Sequence, residues 1–354
     1  MRTTSEYCSI GHPDCICDYV VSYLLDRYLE NDPKVRFAME CQIKDNFVTL
    51  GGEVTSTDYI DDATIRKHVR DAVREIGYTE WNADCWGRDN TIDPSALNIT
   101  IHVSKQSPDI ARGVDADGWG DQGIMWGMAV SDDDTEMMPK DHYIAKRIGM
   151  ELYEMANDGR LDIGLDIKTQ VTMEGGVVRE VIVAAPMMSR LETKIIEGVV
   201  AKIVETYAPG SGARYGIIVN GTGAYVRHAS QGDCGTTGRK LAVDFYGGNC
   251  RIGGGCPWGK DPTKADVTLN IYARILAQRM LEKMGCDRVY CAVSCCIGRR
   301  EIDIVYFDEH MKEIASTTEN RPAHEIIAEL GLNAPVFAFK KRNGLFSYPR
   351  EKAV

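Results

Sequence analysis

Residues 168–186, KTQVTMEGGVVREVIVAAP, predict a β-hairpin, because two runs of alternating apolar residues flank the turn pair Gly175-Gly176. A helical pattern over 190–208, RLETKIIEGVVAKIVETYA, and a strand pattern over 215–221, YGIIVNG, follow the hairpin. In such a unit the helix covers one face of the sheet. This stretch therefore predicts a small α/β unit.

Similar groups of elements occur before and after this stretch. On the N-terminal side, an amphipathic helix after GHPDC precedes a hairpin of VRFAMECQI (35–43) and NFVTLGGEV (46–54), a helix capped by Ser56 or Thr57, and a strand in SALNITIHV (95–103). On the C-terminal side, a strand in KLAVDFYGG (240–248) precedes a helix from Pro262 to about Met284. Strands in VYCAVSCCIG (289–298) and EIDIVYFD (301–308) and a helix near 323–330 follow.

Three rounds of these elements predict the architecture. We expect an α/β (α+β) fold of three similar small domains, each a mixed sheet covered on one face by helices, in a pseudo-threefold arrangement. The predicted domains are residues 1–104, 113–228 and 232–354, with loops at 105–112 and 229–231.

Composition limits the classes of function. The chain has 354 residues, a net charge of -11, and 44% hydrophobic residues, so an extended basic face for nucleic acid is not expected. No window approaches the ~20 apolar residues of a membrane span, and the N-terminus lacks an apolar signal-peptide core, so we expect a cytoplasmic protein. The twelve cysteines form no C-x2-C pair, which favours free thiols over zinc ligands.

The stretch DFYGGNCRIGGGCPWGKDPTKAD (244–266) combines bare backbone with positive charge. Glycines at 253–255 can present successive N–H groups to an anion. Lys260 and Lys264 are expected one turn apart on the helix that begins at Asp261-Pro262, whose amino end favours phosphate. Aspartate follows Lys260, so this is not a Walker motif. Turn glycines and solvated lysines remain the alternative.

Two further motifs add complementary chemistry. In GDCGTTGRKLAVD (232–244), Arg239 and Lys240 pair a guanidinium with an ammonium group, as polyphosphate sites do, and Asp233 precedes them. In GHPDC (11–15), His12 can donate to a phosphate or leaving oxygen, and Asp14 can hold Mg2+. An exposed Arg-Lys pair, a capping aspartate and a satisfied histidine are the alternatives. Together the three motifs favour a magnesium-nucleotide site.

Six collinear motifs then carry a family resemblance. They are GHPD, GGE (51–53), KQSPDI (105–110), GDQG (120–123), GDCGTTGRK (232–240) and DFYGG with GGGCPWGKDPTKAD. From about Ser5 to Gly298 the chain resembles the S-adenosylmethionine synthetase (methionine adenosyltransferase) family. The resemblance implies that ATP and L-methionine form S-adenosylmethionine, and that the displaced triphosphate is hydrolysed to pyrophosphate and phosphate. It also implies two Mg2+ ions per site, a K+ ion, and a homodimer or tetramer with sites at the subunit interface.

The resemblance also implies roles for residues. The implied catalytic residues are His12, Lys260 and Arg239. The implied ATP-binding residues are His12, Asp166, Lys168, Tyr225, Asp233, Arg239, Lys240, Cys256 and Lys260. The implied methionine-binding residues are Glu53, Gln106, Asp233 and Lys264. The implied metal ligands are Asp14 and Asp266 for magnesium and Glu40 for potassium.

Three departures from the family pattern qualify this expectation. Cys15 stands where the family has a lysine after GHPD, which predicts weaker triphosphate binding unless Arg227 or another residue compensates. The stretch AAPM (184–187) replaces polar residues near the nucleotide, and the loop between KQSPDI and GDQG is short. Two alternatives therefore stay open: a catalytically degenerate partner subunit that binds nucleotide, and an ATP or tripolyphosphate hydrolase.

Overall fold

The structure is a computed structural model that describes residues 2–105, 118–188, 193–212 and 215–349. Within those residues the chain forms three four-stranded sheets with helices packed on them. The predicted α/β architecture of three sheet units is therefore confirmed.

The strands are β1 (Arg2–Cys8), β2 (Arg36–Lys44), β3 (Phe47–Thr55), β4 (Asn98–Ser104), β5 (Gly123–Val130), β6 (Lys168–Glu174), β7 (Val177–Ala184), β8 (Gly216–Val219), β9 (Gly235–Thr236), β10 (Arg288–Cys295), β11 (Glu301–Phe307) and β12 (Glu313–Asn320). The helices are α1 (Pro13–Leu29), α2 (Asp62–Glu75), α3 (Glu80–Trp86), α4 (Lys140–Asn157), α5 (Thr193–Tyr207), α6 (Ala229–Gly232), α7 (Leu241–Asp244), α8 (Ala265–Met284), α9 (Ala323–Glu329) and α10 (Phe337–Asn343).

Each sheet takes one strand from a distant part of the chain. The strand orders are β4-β3-β2-β9, β1-β6-β7-β8 and β12-β11-β10-β5. The first two sheets each contain one parallel pair, β3 with β4 and β7 with β8, whereas the third is antiparallel throughout. The exchanged strands β1, β5 and β9 tie the three units together, because each sheet is incomplete without a strand from elsewhere.

Helix α1 is the most enclosed helix near the candidate site. It packs on β2, α2, β9 and α10, and every one of its residues except Arg27 is buried. The sequence predicted an amphipathic helix, but its polar side is covered too. Buried carboxylates on α1 therefore need partners from other elements, and these partners fix the segments around the candidate site.

Two local predictions were wrong. Helix α2 begins at Asp62 with Asp61 as its cap, whose Oδ1 accepts from Thr64 N at 2.7 Å. Ser56 and Thr57 do not cap it because they donate to the Asp32 carboxylate instead, each at 2.8 Å. The predicted strand in KLAVDFYGG is also absent: residues 241–244 form the short helix α7.

A glycine in β5 allows the third sheet to pack closely on α8. A Cβ added at Gly127 would lie 2.1 Å from the carbonyl oxygen of Ala273. We expect Gly127→Ala to lower the free energy of unfolding by about 1–3 kcal/mol, because the backbones must move apart. Urea unfolding measures this. Gly216→Ala in β8 is the matched control, since its Cβ would meet nothing within 4 Å, and equal losses in the two variants would contradict the explanation.

Candidate active site

His12 caps the buried helix α1. Its Nδ1 accepts a hydrogen bond from the backbone N–H of Asp14 at 3.1 Å. Burial, together with the nearby charges of Lys168 and Lys240, lowers the pKa of His12 to about 3. The imidazole is therefore neutral at pH 7, and because Nδ1 is an acceptor, the ring proton lies on Nε2. His12 can thus act as a hydrogen-bond donor to an anionic oxygen.

Asp14 lies in the first turn of α1 and holds two of the predicted cations. Its Oδ2 accepts from Lys240 Nζ at 2.5 Å, its Oδ1 accepts from Thr236 N at 2.8 Å, and Arg239 lies 3.7 Å away. Burial opposes its ionisation, but the hydrogen bonds from Lys240 and Thr236 lower the pKa of Asp14 below its ordinary value. The carboxylate is therefore ionised and available to a cation.

The glycine-rich turn reaches α1 because β9 continues the first sheet. Gly235 and Thr236 pair with β2, and Cys41 N donates to Thr237 Oγ1 at 2.9 Å. A Cβ at Gly235 would lie 2.2 Å from the carbonyl oxygen of Pro13, so only glycine allows this contact. The turn thereby brings Arg239 and Lys240 beside the start of α1.

Asp166 and Lys168 lie close enough to His12 and Asp14 for their charges to interact. Asp166 Oδ2 accepts from Ala229 N at 3.0 Å, whereas its Oδ1 is shielded from solvent without a hydrogen-bond partner among the described residues. Although the residue keeps some exposed surface, burial raises the pKa of this carboxyl to about 6. The charge of Asp166 also acts on Tyr225, whose pKa burial raises above its ordinary value. An unsatisfied buried oxygen favours a ligand that donates a hydrogen bond.

A second group of predicted residues lines a cavity of about 500 Å³. Its walls include Glu40, Glu53, Cys256 and Lys260 together with Thr237 from the glycine-rich turn. The side chain of Cys256 also packs against the turn, since a Cβ at Gly238 would lie 3.1 Å from it. The turn at 235–240 therefore contacts both groups of predicted residues.

Lys260 and Lys264 are arranged differently from the prediction. Helix α8 begins at Ala265, so the two lysines precede it and do not stand one turn apart on its face. Lys260 Nζ binds Asp266 at 2.6 Å, and Lys264 Nζ binds Asp261 at 2.8 Å. Asp261 does not start the helix because its fully buried carboxylate accepts from Phe37 N in β2 at 2.8 Å.

The triple glycine serves packing within the chain at two of its three positions. A Cβ at Gly253 would lie 2.1 Å from the carbonyl oxygen of Ile124, and one at Gly255 would lie 1.7 Å from Asp266 Oδ1. A Cβ at Gly254 would meet nothing within 4 Å. Gly255 therefore makes room for the predicted metal carboxylate.

Two predicted site residues remain, Asp233 and Gln106. Asp233 is exposed, and its Oδ1 accepts from Cys234 N at 2.8 Å. Gln106 lies outside the described residues. Sequence reasoning missed Asp18 and Asp261, which hold the loops of the site. Asp261 stood within the quoted stretch 244–266, and an aspartate inside an apolar helix was the signal for Asp18.

The carboxylates fit magnesium in part. The described residues contain no group of three or more histidine, cysteine or acidic side chains that could hold a metal. Mg2+ commonly takes one or two protein carboxylates and completes its shell with substrate phosphates and water. Asp14 and Asp266 each offer one carboxylate, and each binds an ammonium group, that of Lys240 and that of Lys260 respectively. These residues therefore fit magnesium that arrives with a polyphosphate.

The site combines a neutral imidazole donor, paired cations and carboxylates on a three-sheet α/β fold. This combination is suited to an enzyme that acts on a polyphosphate with its metal ions. Three family models match the chain: the S-adenosylmethionine synthetase N-terminal domain at residues 1–108, the central domain at 116–225, and the C-terminal domain at 228–352. The chain belongs to the S-adenosylmethionine synthetase family, whose members are methionine adenosyltransferases.

Individual relatives agree with the family models. The S-adenosylmethionine synthase of Methylobacterium sp. (strain 4-46) is 33% identical over 97% of this chain and 91% of its own length. That of Wolinella succinogenes is 36% identical over 87% of this chain and 80% of its own. A solved structure described as an unusual S-adenosylmethionine synthetase from Campylobacter jejuni has a TM-score of 0.87 and 28% sequence identity to this chain. The match covers 97% of this chain and 94% of the Campylobacter jejuni chain.

The described part of the chain contains no helix with the length and apolar character needed to cross a membrane.

Proposed function

We propose that this chain forms S-adenosylmethionine from ATP and L-methionine in the cytoplasm. The methionine sulfur attacks C5′ of ATP and expels triphosphate, which the same site hydrolyses to pyrophosphate and phosphate. The observation that carries this proposal is the contact between the glycine-rich turn and α1, where Lys240 binds Asp14 beside the neutral imidazole of His12.

Within the proposal, His12, Arg239 and Lys260 are the catalytic residues. The Nε2–H of His12 donates to the oxygen that leaves C5′, and the two cations bind phosphate oxygens as negative charge grows there. Lys168 and Lys240 add positive charge, while Asp166 and Tyr225 hold adenosine by hydrogen bonding and stacking. The further assigned contacts are Cys256 at the nucleotide and Glu53, Gln106, Asp233 and Lys264 at methionine.

The carboxylates and lysines of the site exchange partners when substrate binds. Lys240 pairs with Asp14, and Lys260 pairs with Asp266. Phosphate oxygens attract both ammonium groups away, which leaves the two carboxylates for two Mg2+ ions, and Glu40 for a K+ ion. When bound, Mg2+ neutralises phosphate charge and orients the triphosphate.

We place the complete site in a homodimer, with a tetramer as the larger assembly. One large apolar side chain is exposed on a strand of each sheet: Phe47 on β3, Ile124 on β5 and Ile218 on β8. The homodimer itself rests on the family resemblance, and these three side chains are candidates for burial in its interface. The net charge of -11 gives no support for a nucleic-acid partner.

The degenerate-subunit and hydrolase alternatives keep one observation in their favour, because Cys15 is fully buried and neutral in place of a family lysine. A product assay, with a separate calorimetric measurement of ATP binding, separates the three functions. Purified protein is incubated with ATP, methionine, Mg2+ and K+, and S-adenosylmethionine, pyrophosphate and phosphate are followed by chromatography. We expect all three in equal amounts. Phosphate without S-adenosylmethionine would support the hydrolase, and ATP binding without turnover would support the degenerate subunit.

A further inference from the structure

A buried triad of charges lies behind the candidate site. Lys341 Nζ lies 2.8 Å from Asp18 Oδ2 and 2.8 Å from Asp244 Oδ1. The side chains of Lys341, Asp18 and Asp244 are 3%, 0% and 8% exposed. One ammonium group thus serves two carboxylates away from water, where an unpaired charge is costly.

The other oxygens of the two carboxylates hold the loops of the site. Asp18 Oδ1 accepts from Gly238 N at 2.8 Å, directly before Arg239 and Lys240. Asp244 Oδ2 accepts from Trp258 Nε1 at 2.8 Å, two residues before Lys260. The Lys341 ammonium also lies 4.8 Å from the centre of the Trp258 ring. A single cation therefore fixes both segments that carry the predicted phosphate-binding side chains.

The C-terminal helix that carries Lys341 is anchored on α1. Both oxygens of the buried Asp26 accept from the first turn of α10, from Phe337 N and Ala338 N at 2.9 Å each. Helix α10 therefore has a fixed position along α1, and Lys341 extends from it to Asp18, two turns before Asp26 on α1.

Cys15 lies next to the triad. It is 2% exposed and lines one cavity of about 260 Å³ together with Asp244 and Lys341. Cys15 also packs with Val243, the neighbour of Asp244. A positive group placed at position 15 would therefore face the same carboxylates from the side of α1.

We propose that Lys341 is a positioning residue for the phosphate-binding site. Its ammonium group, which is carried by α10, replaces a cation that could otherwise stand at position 15 on α1. It neutralises Asp18 and Asp244 and so holds the segments of Arg239, Lys240 and Lys260 in place. The catalytic consequence rests on the proposed function, whereas the structural coupling does not.

The test is a double-mutant cycle with Lys341→Met, Cys15→Lys and the two combined. Lys341→Met leaves two buried carboxylates unpaired, so we expect its Tm to fall by about 5 °C or more and its kcat to fall by about 100-fold. Cys15→Lys alone places two ammonium groups together and also lowers Tm. The combined variant restores one cation, and we expect it to recover Tm and at least a tenth of the wild-type kcat.

Lys340→Met is the matched control. Lys340 is also buried on the same helix, but it donates to the carbonyl oxygens of Leu345 and Ser347, away from the site. We expect it to lower Tm while changing kcat less than threefold, so that loss of stability is separated from loss of positioning.

Binding of magnesium tripolyphosphate, measured by calorimetry, provides a readout that needs no turnover. We expect at least tenfold weaker binding for Lys341→Met and recovery in the combined variant. Near-normal kcat and binding in Lys341→Met, or a combined variant no better than Lys341→Met, would overturn the proposal. If the wild type forms no S-adenosylmethionine, the proposed function fails, but the Tm cycle and tripolyphosphate binding still decide the role of Lys341.

Discussion

Replacing Gly255 by alanine is expected to lower the rate of S-adenosylmethionine formation by about 100-fold or more, with little change in Tm. The added Cβ would lie 1.7 Å from Asp266 Oδ1, so the carboxylate must leave its position and its 2.6 Å contact with Lys260. Both side chains are about one quarter exposed, so they can move without unfolding the chain. The measurements are steady-state rates and a thermal melt.

Two matched variants sharpen this prediction. Asp266→Asn keeps the size of the side chain but removes its charge, and we expect it to lose activity as Gly255→Ala does. Gly254→Ala adds the same methyl group where nothing lies within 4 Å, and we expect activity within threefold of wild type. Equal losses in both alanine variants would instead indicate that the glycines serve close approach of the ligand. Normal activity in Gly255→Ala would refute the role of Asp266.

The elements that sequence predicted well depend on local patterns. The hairpin of β6 and β7 and the helix α5 have alternating or helical periodicity over adjacent residues, and the structure confirms them. Residues 2–8 and 123–130 became strands that the patterns had not predicted. Each pairs with a strand more than 150 residues away along the chain. Such pairings depend on the packing of whole units, which local periodicity does not contain.

The site was predictable to a similar extent. Motifs predicted which side chains carry its chemistry, and His12, Asp14 and Lys240 do lie together. The ion partner of Asp14 was not predictable, because Lys240 is 226 residues away along the chain. Lys341 lay in a C-terminal stretch without a strong motif, and its significance depends on two carboxylates that only the fold brings to it.

His12→Asn should lower kcat by about 100- to 1,000-fold while the fold is retained. Asparagine is a good N-cap, so its Oδ1 can accept from Asp14 N as Nδ1 of His12 does. It places no donor where Nε2–H stands, so the variant separates capping from donation to the leaving oxygen. Unfolding experiments check the cap and steady-state kinetics check the donor. A near-normal kcat would remove His12 from the catalytic residues.

The pH dependence provides an independent check on His12. Burial and the charges of Lys168 and Lys240 lower the pKa of His12 to about 3. Protonation of His12 should therefore cause no inflection in wild-type kcat near pH 6.5, and the pH profiles of wild type and His12→Asn should have the same shape there. The free energy of unfolding, unlike kcat, should depend on pH differently in wild type and His12→Asn. Unfolded histidine binds a proton below about pH 6.5, whereas folded His12 stays neutral, so its contribution is present above pH 6.5 and falls as pH approaches 3. Wild type should therefore lose more stability than His12→Asn between pH 7 and pH 5, and equal losses would show that the folded imidazole takes up its proton over the same pH range as the unfolded one.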